Sequence, residues 1–167
     1  YTRNGISKGL KDCLDNDIIL ISDVDEFPDI DKFKLFNGNL TVFKQVMFYF
    51  KLNLRVRNFD HDSGDGLWPG TRMLNFRLFK KINNVQKIRN FKAKKYGWWR
   101  LDKPRLNIIN YGGWHFRFFG SSKNLKHELE NRAIGRGENI LSSYSESDIN
   151  NIIKNRTIYA SCFFKNI

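Results

Sequence analysis

The sequence predicts an α/β fold in which residues 1–167 form a single domain. Four consecutive aliphatic residues, Ile18–Ile21, indicate a buried strand, because a strand covered on both faces needs no polar alternation. Strict alternation from Val46 to Arg55 indicates a second strand, long and half-buried. Apolar residues at helical spacing in 4–14 and again from Leu125 onward indicate flanking helices. With 15 Phe, 6 Tyr and 4 Trp, the chain is long enough to bury a sizeable core.

The first half of the chain contains further elements around these strands. Residues 4–14 are expected to form an amphipathic helix that leads into the strand at 17–22. Asp29–Phe36 predicts a short helix after Pro28, closed by Asn37-Gly38. Residues 56–70 have no periodic pattern, and a loop of this length in a compact domain is usually functional or disordered.

The second half continues the alternation of strands and helices. The spacing of Leu74, Phe76 and Leu78 predicts another strand, and residues 107–119 predict a third strand region, interrupted by Gly112-Gly113. Residues 86–103 are basic and aromatic, with a turn or exposed surface at 96–99. Ser121 or Ser122 is expected to cap the helix that contains Leu125, and a capping box at 145–148 predicts a last helix near 146–155.

Three carboxylates, Asp23, Asp25 and Glu26, directly follow the first strand. Because like charges repel, we expect a cation or positive side chains to offset them. Side chains two positions apart on an extended segment share a face, so Asp23 and Asp25 are expected to reach one metal ion together. Oxygen ligands of this kind suit Mg²⁺ or Mn²⁺. An isolated Asp-x-Asp is also common in exposed turns, which leaves a purely structural role open.

The formal net charge of +12 raises the question of an anionic partner. Lys and Arg are densest in residues 77–105. Such an excess can attract nucleic acid, anionic lipid or a phosphorylated substrate, or it can form a solvated basic face, and composition does not choose among them. No stretch approaches the roughly 20 apolar residues of a membrane span, so we expect no transmembrane segment and leave peripheral membrane contact open.

Three ordered motifs carry a family resemblance: Ser-Asp-Val-Asp-Glu-Phe-Pro at 22–28, Trp-Pro-Gly-Thr at 68–71 and Gly-Gly-Trp-His-Phe at 112–116. Together they resemble glycosyltransferase family 17, which contains the β-1,4-mannosyl-glycoprotein β-1,4-N-acetylglucosaminyltransferases. Phe27 stands where that family usually has Ile. Lys123 and His127-Glu128 are similar to its downstream signature, so the resemblance extends from about Arg3 to about Arg132.

The resemblance implies a GT-A type fold, a Rossmann-like mixed sheet flanked by helices. It also implies inverting, metal-dependent transfer of a sugar, N-acetylglucosamine in the best-known members, from a UDP-sugar donor to a glycan acceptor, with no nucleic acid as partner. The nucleoside-binding units of that fold precede its Asp-x-Asp motif, so the chain is expected to be the metal-binding and acceptor half. Its Lys, Asn, Ile and Phe bias suggests an AT-rich bacterial or viral genome and a cytoplasmic enzyme, or the Golgi lumen if the source is eukaryotic.

The resemblance also implies roles for individual residues. Asp23 and Asp25 would hold Mn²⁺ or Mg²⁺ against the donor diphosphate, with His115 or His127 as a further ligand. Inversion needs a general base, for which Glu128 and Asp65 are the main candidates beside Asp60, Asp62 and Glu26. Trp68 and Trp114 could stack on sugar rings or pack in the core, and Arg72 and Lys123 could meet the diphosphate.

Two other functions compete with this prediction. A basic nucleic-acid-binding module would use the charge together with Tyr96, Trp98 and Trp99, but it gives no reason for three clustered acids. A phosphatase of the haloacid-dehalogenase type also places Asp-x-Asp after a hydrophobic strand. Glu26-Phe27-Pro28 departs from the pattern usual after that motif.

Overall fold

The computed structural model describes residues 3–52, 55, 66–95, 97, 99–100, 105–127, 130 and 144–155, and all structural statements refer to these. The elements are, in chain order, a 3-10 helix at Arg3–Leu10, β1 at Ile18–Ile21, β2 at Glu26–Pro28, a second 3-10 helix at Ile30–Leu35, β3 at Leu40–Tyr49, β4 at Leu67–Asn75, α1 at Phe76–Ile82, α2 at Val85–Asn90, β5 at Leu106–Ile109, β6 at Gly113–Arg117, α3 at 122–127 and α4 at Glu146–Asn155.

The strands form one mixed sheet with few helices, which confirms the predicted α/β class. The strand order is β1-β4-β3-β6-β2, and β5 pairs with β3 in parallel while β1/β4, β3/β4 and β2/β6 are antiparallel. The chain divides into two compact units: Tyr1–Val46 with Leu67–His115 form unit 1, and Met47–Gly66 with Phe116–Ile167 form unit 2. The single-domain expectation stays a prediction, because one domain can contain two such units.

The first strand is buried on one face only. Ile19 and Ile21 are buried among Leu40, Leu74 and other apolar side chains of unit 1, whereas Ile18 and Leu20 are 51% and 40% exposed. The prediction of burial on both faces is therefore wrong, since β1 is an edge strand that pairs only with β4 among the described strands. The helix predicted at 4–14 is also shorter, a 3-10 helix that ends at Leu10.

The long strand β3 begins six residues before the predicted Val46 and ends at Tyr49. Its end coincides with Phe50, whose φ of 63° lies in the left-handed region that interrupts an extended strand. Alternation is present at its carboxyl end, where Met47 and Tyr49 are buried and Phe48 is half-buried. The predicted strand beyond Phe50 is therefore wrong for Lys51 and Leu52, which form a bend and a turn.

The predicted strand at Leu74–Leu78 is wrong in its second half. Asn75 caps helix α1, because its side-chain Oδ1 accepts a 2.8 Å hydrogen bond from the Leu78 backbone N–H. Phe76 and Leu78 therefore lie in the first turn of a helix, so their two-residue spacing does not indicate a strand. The segment 67–70, predicted as loop, instead begins strand β4.

Several local predictions are confirmed. The short helix after Pro28 forms as a 3-10 helix with Asp29 as N-cap. The predicted interruption of the region 107–119 is also present, because β5 ends at Ile109 and β6 begins at Gly113. In unit 2, Ser121 Oγ accepts from the Asn124 N–H at 3.3 Å, and Ser145 forms the predicted capping box with Asp148. Leu125 of α3 and Ile149 of α4 are both buried and form the core of that unit.

Candidate functional site

The acidic residues after β1 lie on a turn, not on an extended segment. The Glu26 backbone N–H donates to the Asp23 carbonyl at 3.1 Å, which reverses the chain between β1 and β2. Our prediction that Asp23 and Asp25 share one face of an extended segment is therefore wrong. The two carboxylates instead have different partners: Asp23 Oδ2 lies 2.9 Å from Arg89 Nη2, and Asp25 Oδ2 lies 3.6 Å from His115 Nε2.

Glu26 is the centre of the hydrogen-bond network in unit 1. The residue is 5% exposed, and its carboxylate accepts from two nitrogens of Arg89, at 2.7 and 3.0 Å. It also accepts from Trp68 Nε1 at 2.9 Å and from the Asp23 backbone N–H at 3.2 Å. A buried carboxylate is tolerated only when it is paired and hydrogen-bonded, and Glu26 meets both conditions.

Arg89 supplies the positive charge that the acidic cluster requires. Besides Glu26 and Asp23, its guanidinium donates to the Gly70 carbonyl at 2.7 Å. Sequence reasoning placed Arg89 only within a general basic segment, yet a signal was present. Val85, Ile88 and Arg89 follow the i, i+3, i+4 spacing of a buried helical stripe, and Val85 and Ile88 are indeed buried.

The charges of this network shift each other's protonation equilibria. Burial opposes ionisation of Glu26, but the hydrogen bonds and charge of Arg89, with the bonds from Trp68 and Asp23, outweigh it and lower the pKa of Glu26. Burial likewise opposes the charge of Arg89, and the contacts with Glu26 and Asp23 outweigh it and raise the Arg89 pKa. The pair therefore remains ionised over the neutral pH range.

Strand pairing brings a second sequence motif to the acidic turn. In the β2/β6 register, Glu26 lies opposite His115 and Phe27 lies opposite Trp114. His115 is 3% exposed, and its ring packs edge-on against Trp68 with the two centroids 5.0 Å apart. His115 Nδ1 lies 3.9 Å from Glu26 Oε1. Asp25, Glu26, Trp68 and His115 thus form one cluster from three separate stretches of sequence.

Trp114 lies on the other face of the β2/β6 pair. Side chains alternate along a strand, so Trp114 and Phe27 face away from His115 and Glu26. Phe27 is 51% exposed and Trp114 is 45% exposed. The two tryptophans predicted to stack on sugar rings therefore differ, because Trp68 belongs to the cluster whereas Trp114 lies on the opposite face of the strand pair.

Arg72 is occupied within the protein. It is 2% exposed, and its guanidinium donates to the backbone carbonyls of Pro69, Gly70, Arg89 and Phe91. Burial and the nearby charge of Arg89 lower the Arg72 pKa to about 9. A contact between Arg72 and a diphosphate, as predicted, would require these carbonyl bonds to break.

The remaining predicted site residues belong to unit 2 or fall outside the described residues. Lys123 and His127 are exposed on α3 of unit 2. Glu128 and Asp65, the predicted bases, lie outside the described residues, as do Asp60 and Asp62.

A divalent ion would find two suitable ligands in the cluster. Within the described ranges, no group of three or more His, Cys, Asp and Glu side chains is placed to hold a metal ion. Asp25 Oδ2 and His115 Nε2 nevertheless lie 3.6 Å apart. Ligands about 2.1 Å from one ion lie at most about 4.2 Å from each other, so this pair fits a shared ion. Asp23 fits less well, since Arg89 engages its Oδ2.

Comparisons with protein-family models, curated proteins and solved structures give no match for this chain. In the described part of the chain, no helix combines the length and apolar character needed to cross a membrane.

Proposed function

We propose that this chain carries the metal site of an inverting glycosyltransferase. In this proposal the enzyme transfers a sugar, N-acetylglucosamine in the simplest case, from a UDP-sugar to a hydroxyl of a glycan acceptor. Mn²⁺ or Mg²⁺ is the cofactor, and the mixed sheet belongs to a GT-A type fold. The observation that carries the proposal is the approach of Asp25 to His115 at 3.6 Å.

The convergence of the three motifs supports the proposal further. The acidic turn, the Trp68–Thr71 segment and the Gly112–Phe116 segment suggested the family only by their order along the chain. In the structure, Trp68 donates to Glu26, His115 lies opposite Glu26 in the sheet, and Thr71 Oγ1 lies 2.8 Å from Ser22 Oγ. Segments that share one binding function are expected to meet in space.

In the proposed mechanism, the residues of the cluster have different roles. Asp25 and His115 would hold the ion, which when bound acts as a Lewis acid toward the diphosphate leaving group. Glu26 and Arg89 fix the turn that carries Asp25, so the ligand oxygen is positioned before the ion arrives. His115 Nε2 suits Mn²⁺ better than Mg²⁺, since imidazole is a poor ligand for Mg²⁺. Glu128 and Asp65 remain the predicted bases.

The metal step is tested directly by titrating Mn²⁺ and following the electron paramagnetic resonance signal of the free ion, alone and with UDP. The variants are Asp25→Asn and His115→Gln, with Asp31→Asn as the matched control, because Asp31 is an exposed carboxylate on the second 3-10 helix. We expect each site variant to weaken Mn²⁺ binding by about 10-fold or more, and the control to bind as the wild type does.

The results separate the proposed function from its rivals. Mn²⁺-dependent binding of UDP, and release of UDP from UDP-N-acetylglucosamine that disappears in both site variants, would support the transferase. Equal Mn²⁺ binding in wild type, Asp25→Asn and His115→Gln would contradict it. Hydrolysis of a phosphomonoester that is lost in Asp23→Asn would favour the phosphatase instead.

A further inference from the structure

A line of side-chain hydrogen bonds connects the interior of unit 1 with the acidic turn. Gln45 Nε2 donates to Thr71 Oγ1 at 3.2 Å, and Thr71 Oγ1 lies 2.8 Å from Ser22 Oγ. Gln45 on β3 and Thr71 on β4 are fully buried, whereas Ser22, directly after β1, is exposed. These three residues are called the polar bridge, and all of them belong to unit 1.

The polar bridge ends on Glu26. The Ser22 hydroxyl lies 3.1 Å from the Glu26 backbone carbonyl oxygen and 3.4 Å from its carboxylate Oε2. An amide nitrogen only donates, so Thr71 Oγ1 accepts from Gln45, and its own proton is available for Ser22 Oγ. The Ser22 proton is then directed to Glu26. Hydrogen bonds that run in one direction polarise and strengthen one another, so the bridge acts on Glu26 as a unit.

Stability alone gives no reason for a glutamine at position 45. The amide oxygen of Gln45 is buried and has no hydrogen-bond partner among the described residues, and burying an unpaired acceptor is unfavourable. A methionine of similar size would avoid this penalty. Gly70 leaves room for the amide, because a Cβ atom there would lie 1.9 Å from Gln45 Oε1. Within the described ranges, the amide forms its side-chain hydrogen bond with Thr71, so its contribution is made through the polar bridge.

Glu26 adjoins both residues that are proposed to hold the ion. Asp25 precedes it in sequence and lies within the turn that Ser22 closes by its bond to the Glu26 carbonyl. His115 lies opposite Glu26 in the β2/β6 register, with Nδ1 3.9 Å from Glu26 Oε1. The 3.6 Å separation of Asp25 Oδ2 and His115 Nε2 therefore depends on the position of Glu26. A shift of Glu26 would move the two ligands relative to each other.

We propose that Thr71 and Gln45 are positioning residues for the metal site. They hold the Ser22 hydroxyl against Glu26, and thereby hold Asp25 and its partner His115 at the separation that a shared ion requires. Residues that orient metal ligands in this way typically change metal affinity about 10- to 100-fold when they are removed. The inference rests on the proposed function, because it assigns the polar bridge a role relative to the ion.

The test compares two variants that break the polar bridge with two that should leave it intact. Thr71→Val and Gln45→Met each remove a hydrogen-bonding group at nearly constant volume, whereas Thr71→Ser keeps the hydroxyl. Thr41→Val is the matched control, because Thr41 is also fully buried in unit 1 but its hydroxyl donates to the Asn39 carbonyl at 3.1 Å. Urea unfolding establishes that each variant is folded under the conditions of the measurements.

The first measurement needs no metal. The Trp68 indole N–H donates to Glu26 Oε1, so its nuclear magnetic resonance signal, identified by its absence in Trp68→Phe, reports on the position of Glu26. We expect Thr71→Val and Gln45→Met to shift this signal and to accelerate exchange of its proton with water several-fold. Thr71→Ser and Thr41→Val should give the wild-type signal. An unchanged signal in Gln45→Met and in any folded Thr71→Val would overturn the proposal.

The second measurement is the Mn²⁺ titration. We expect Thr71→Val and Gln45→Met to weaken Mn²⁺ binding by about 10-fold, with wild-type affinity in Thr71→Ser and Thr41→Val. If Asp25→Asn loses binding while both bridge variants keep it, the metal site stands and the positioning role is overturned. An equal loss in Thr41→Val would also overturn that role, because general loosening of the sheet would explain it. If the wild type binds no Mn²⁺, the proposed function itself fails, and the role of the bridge at the ion fails with it.

Discussion

Arg89 and Glu26 form a two-pronged ion pair inside unit 1, with Nη2 to Oε1 at 2.7 Å and Nη1 to Oε2 at 3.0 Å. The Arg89 side chain is 6% exposed and that of Glu26 is not exposed at all. The pair joins helix α2 to the first residue of β2, across 63 positions of sequence. It gives the acidic turn a counter-charge from the protein itself, so the turn can fold before any cation binds.

Removal of Arg89 should destabilise the protein strongly. Arg89→Met leaves Glu26 as a buried carboxylate without its main counter-charge, and breaking such a pair costs about 3–5 kcal/mol. Urea unfolding at neutral pH measures the loss. Arg77→Met is the matched control, since Arg77 pairs with Asp15 at the surface, and we expect little change there. Similar losses in the two variants would contradict a special role for the buried pair.

The stability of the protein should fall in acid, in part through Glu26. The pKa of Glu26 is lowered from 4.5 in the native state, so the unfolded chain binds this proton at higher pH than the folded one. The stabilisation is therefore present above about pH 4.5 and is lost as the pH falls through the lower native pKa. We expect Glu26→Gln to be less stable than wild type at neutral pH, with a difference in stability that narrows as the pH falls below about 4.5.

This narrowing can be measured by chemical denaturation at a series of pH values. Asp15→Asn serves as the control, because the exposed Asp15 also has a lowered pKa, caused first by its hydrogen bond with Lys80. The Asp15→Asn protein keeps Glu26, so the part of its acid sensitivity that comes from Glu26 should be the same as in the wild type. A gap between wild type and Glu26→Gln that stays constant with pH would contradict the assignment.

Trp68 should stabilise the protein through the hydrogen bond of its ring nitrogen as well as through the packing of its ring. Trp68→Phe keeps an aromatic ring near His115 but removes the 2.9 Å hydrogen bond to Glu26. The loss of a hydrogen bond to a charged group predicts a decrease in stability of about 1.5–3 kcal/mol. Trp114→Phe is the control, since Trp114 is 45% exposed and faces the other side of the sheet. Thermal unfolding should separate the two, and equal changes would argue against the bond to Glu26.

Gly113 should be intolerant of a side chain. Its φ is 136°, and an added Cβ would lie 2.1 Å from the Phe27 carbonyl oxygen. Gly113→Ala therefore strains the backbone and forces apart the β2/β6 pair that places His115 opposite Glu26, at an expected cost of more than about 2 kcal/mol.

Gly9→Ala provides the comparison for Gly113→Ala, because a Cβ at Gly9 would meet nothing within 4 Å. We expect its melting temperature to equal or exceed that of the wild type. A Gly113→Ala protein as stable as Gly9→Ala would show that the β2/β6 pair can shift at no cost. If His115 is a metal ligand, Gly113→Ala should also weaken Mn²⁺ binding.

The local elements of the fold could be predicted where a side chain forms a hydrogen bond with the backbone of residues close to it in sequence. Asp29, Ser121 and Ser145 cap helices within three residues of themselves, so the sequence contains the whole interaction. Asn75 was a missed signal of this kind, because the apolar alternation at 74–78 matched a strand equally well. The end of β3 had no such signal, since nothing in the type of Phe50 predicts its left-handed conformation.

The same distinction between local and long-range interactions applies to the candidate site. The sequence determined that three acids follow a strand, that a Gly-Gly-Trp-His segment lies farther along the chain, and that the charge is concentrated in residues 77–105. Only the tertiary structure decided that Arg89 neutralises Glu26 and Asp23, and that Asp25 faces His115. The reason is physical: strand register and helix packing bring together residues far apart in sequence, and no local propensity encodes which of several buried charges will meet.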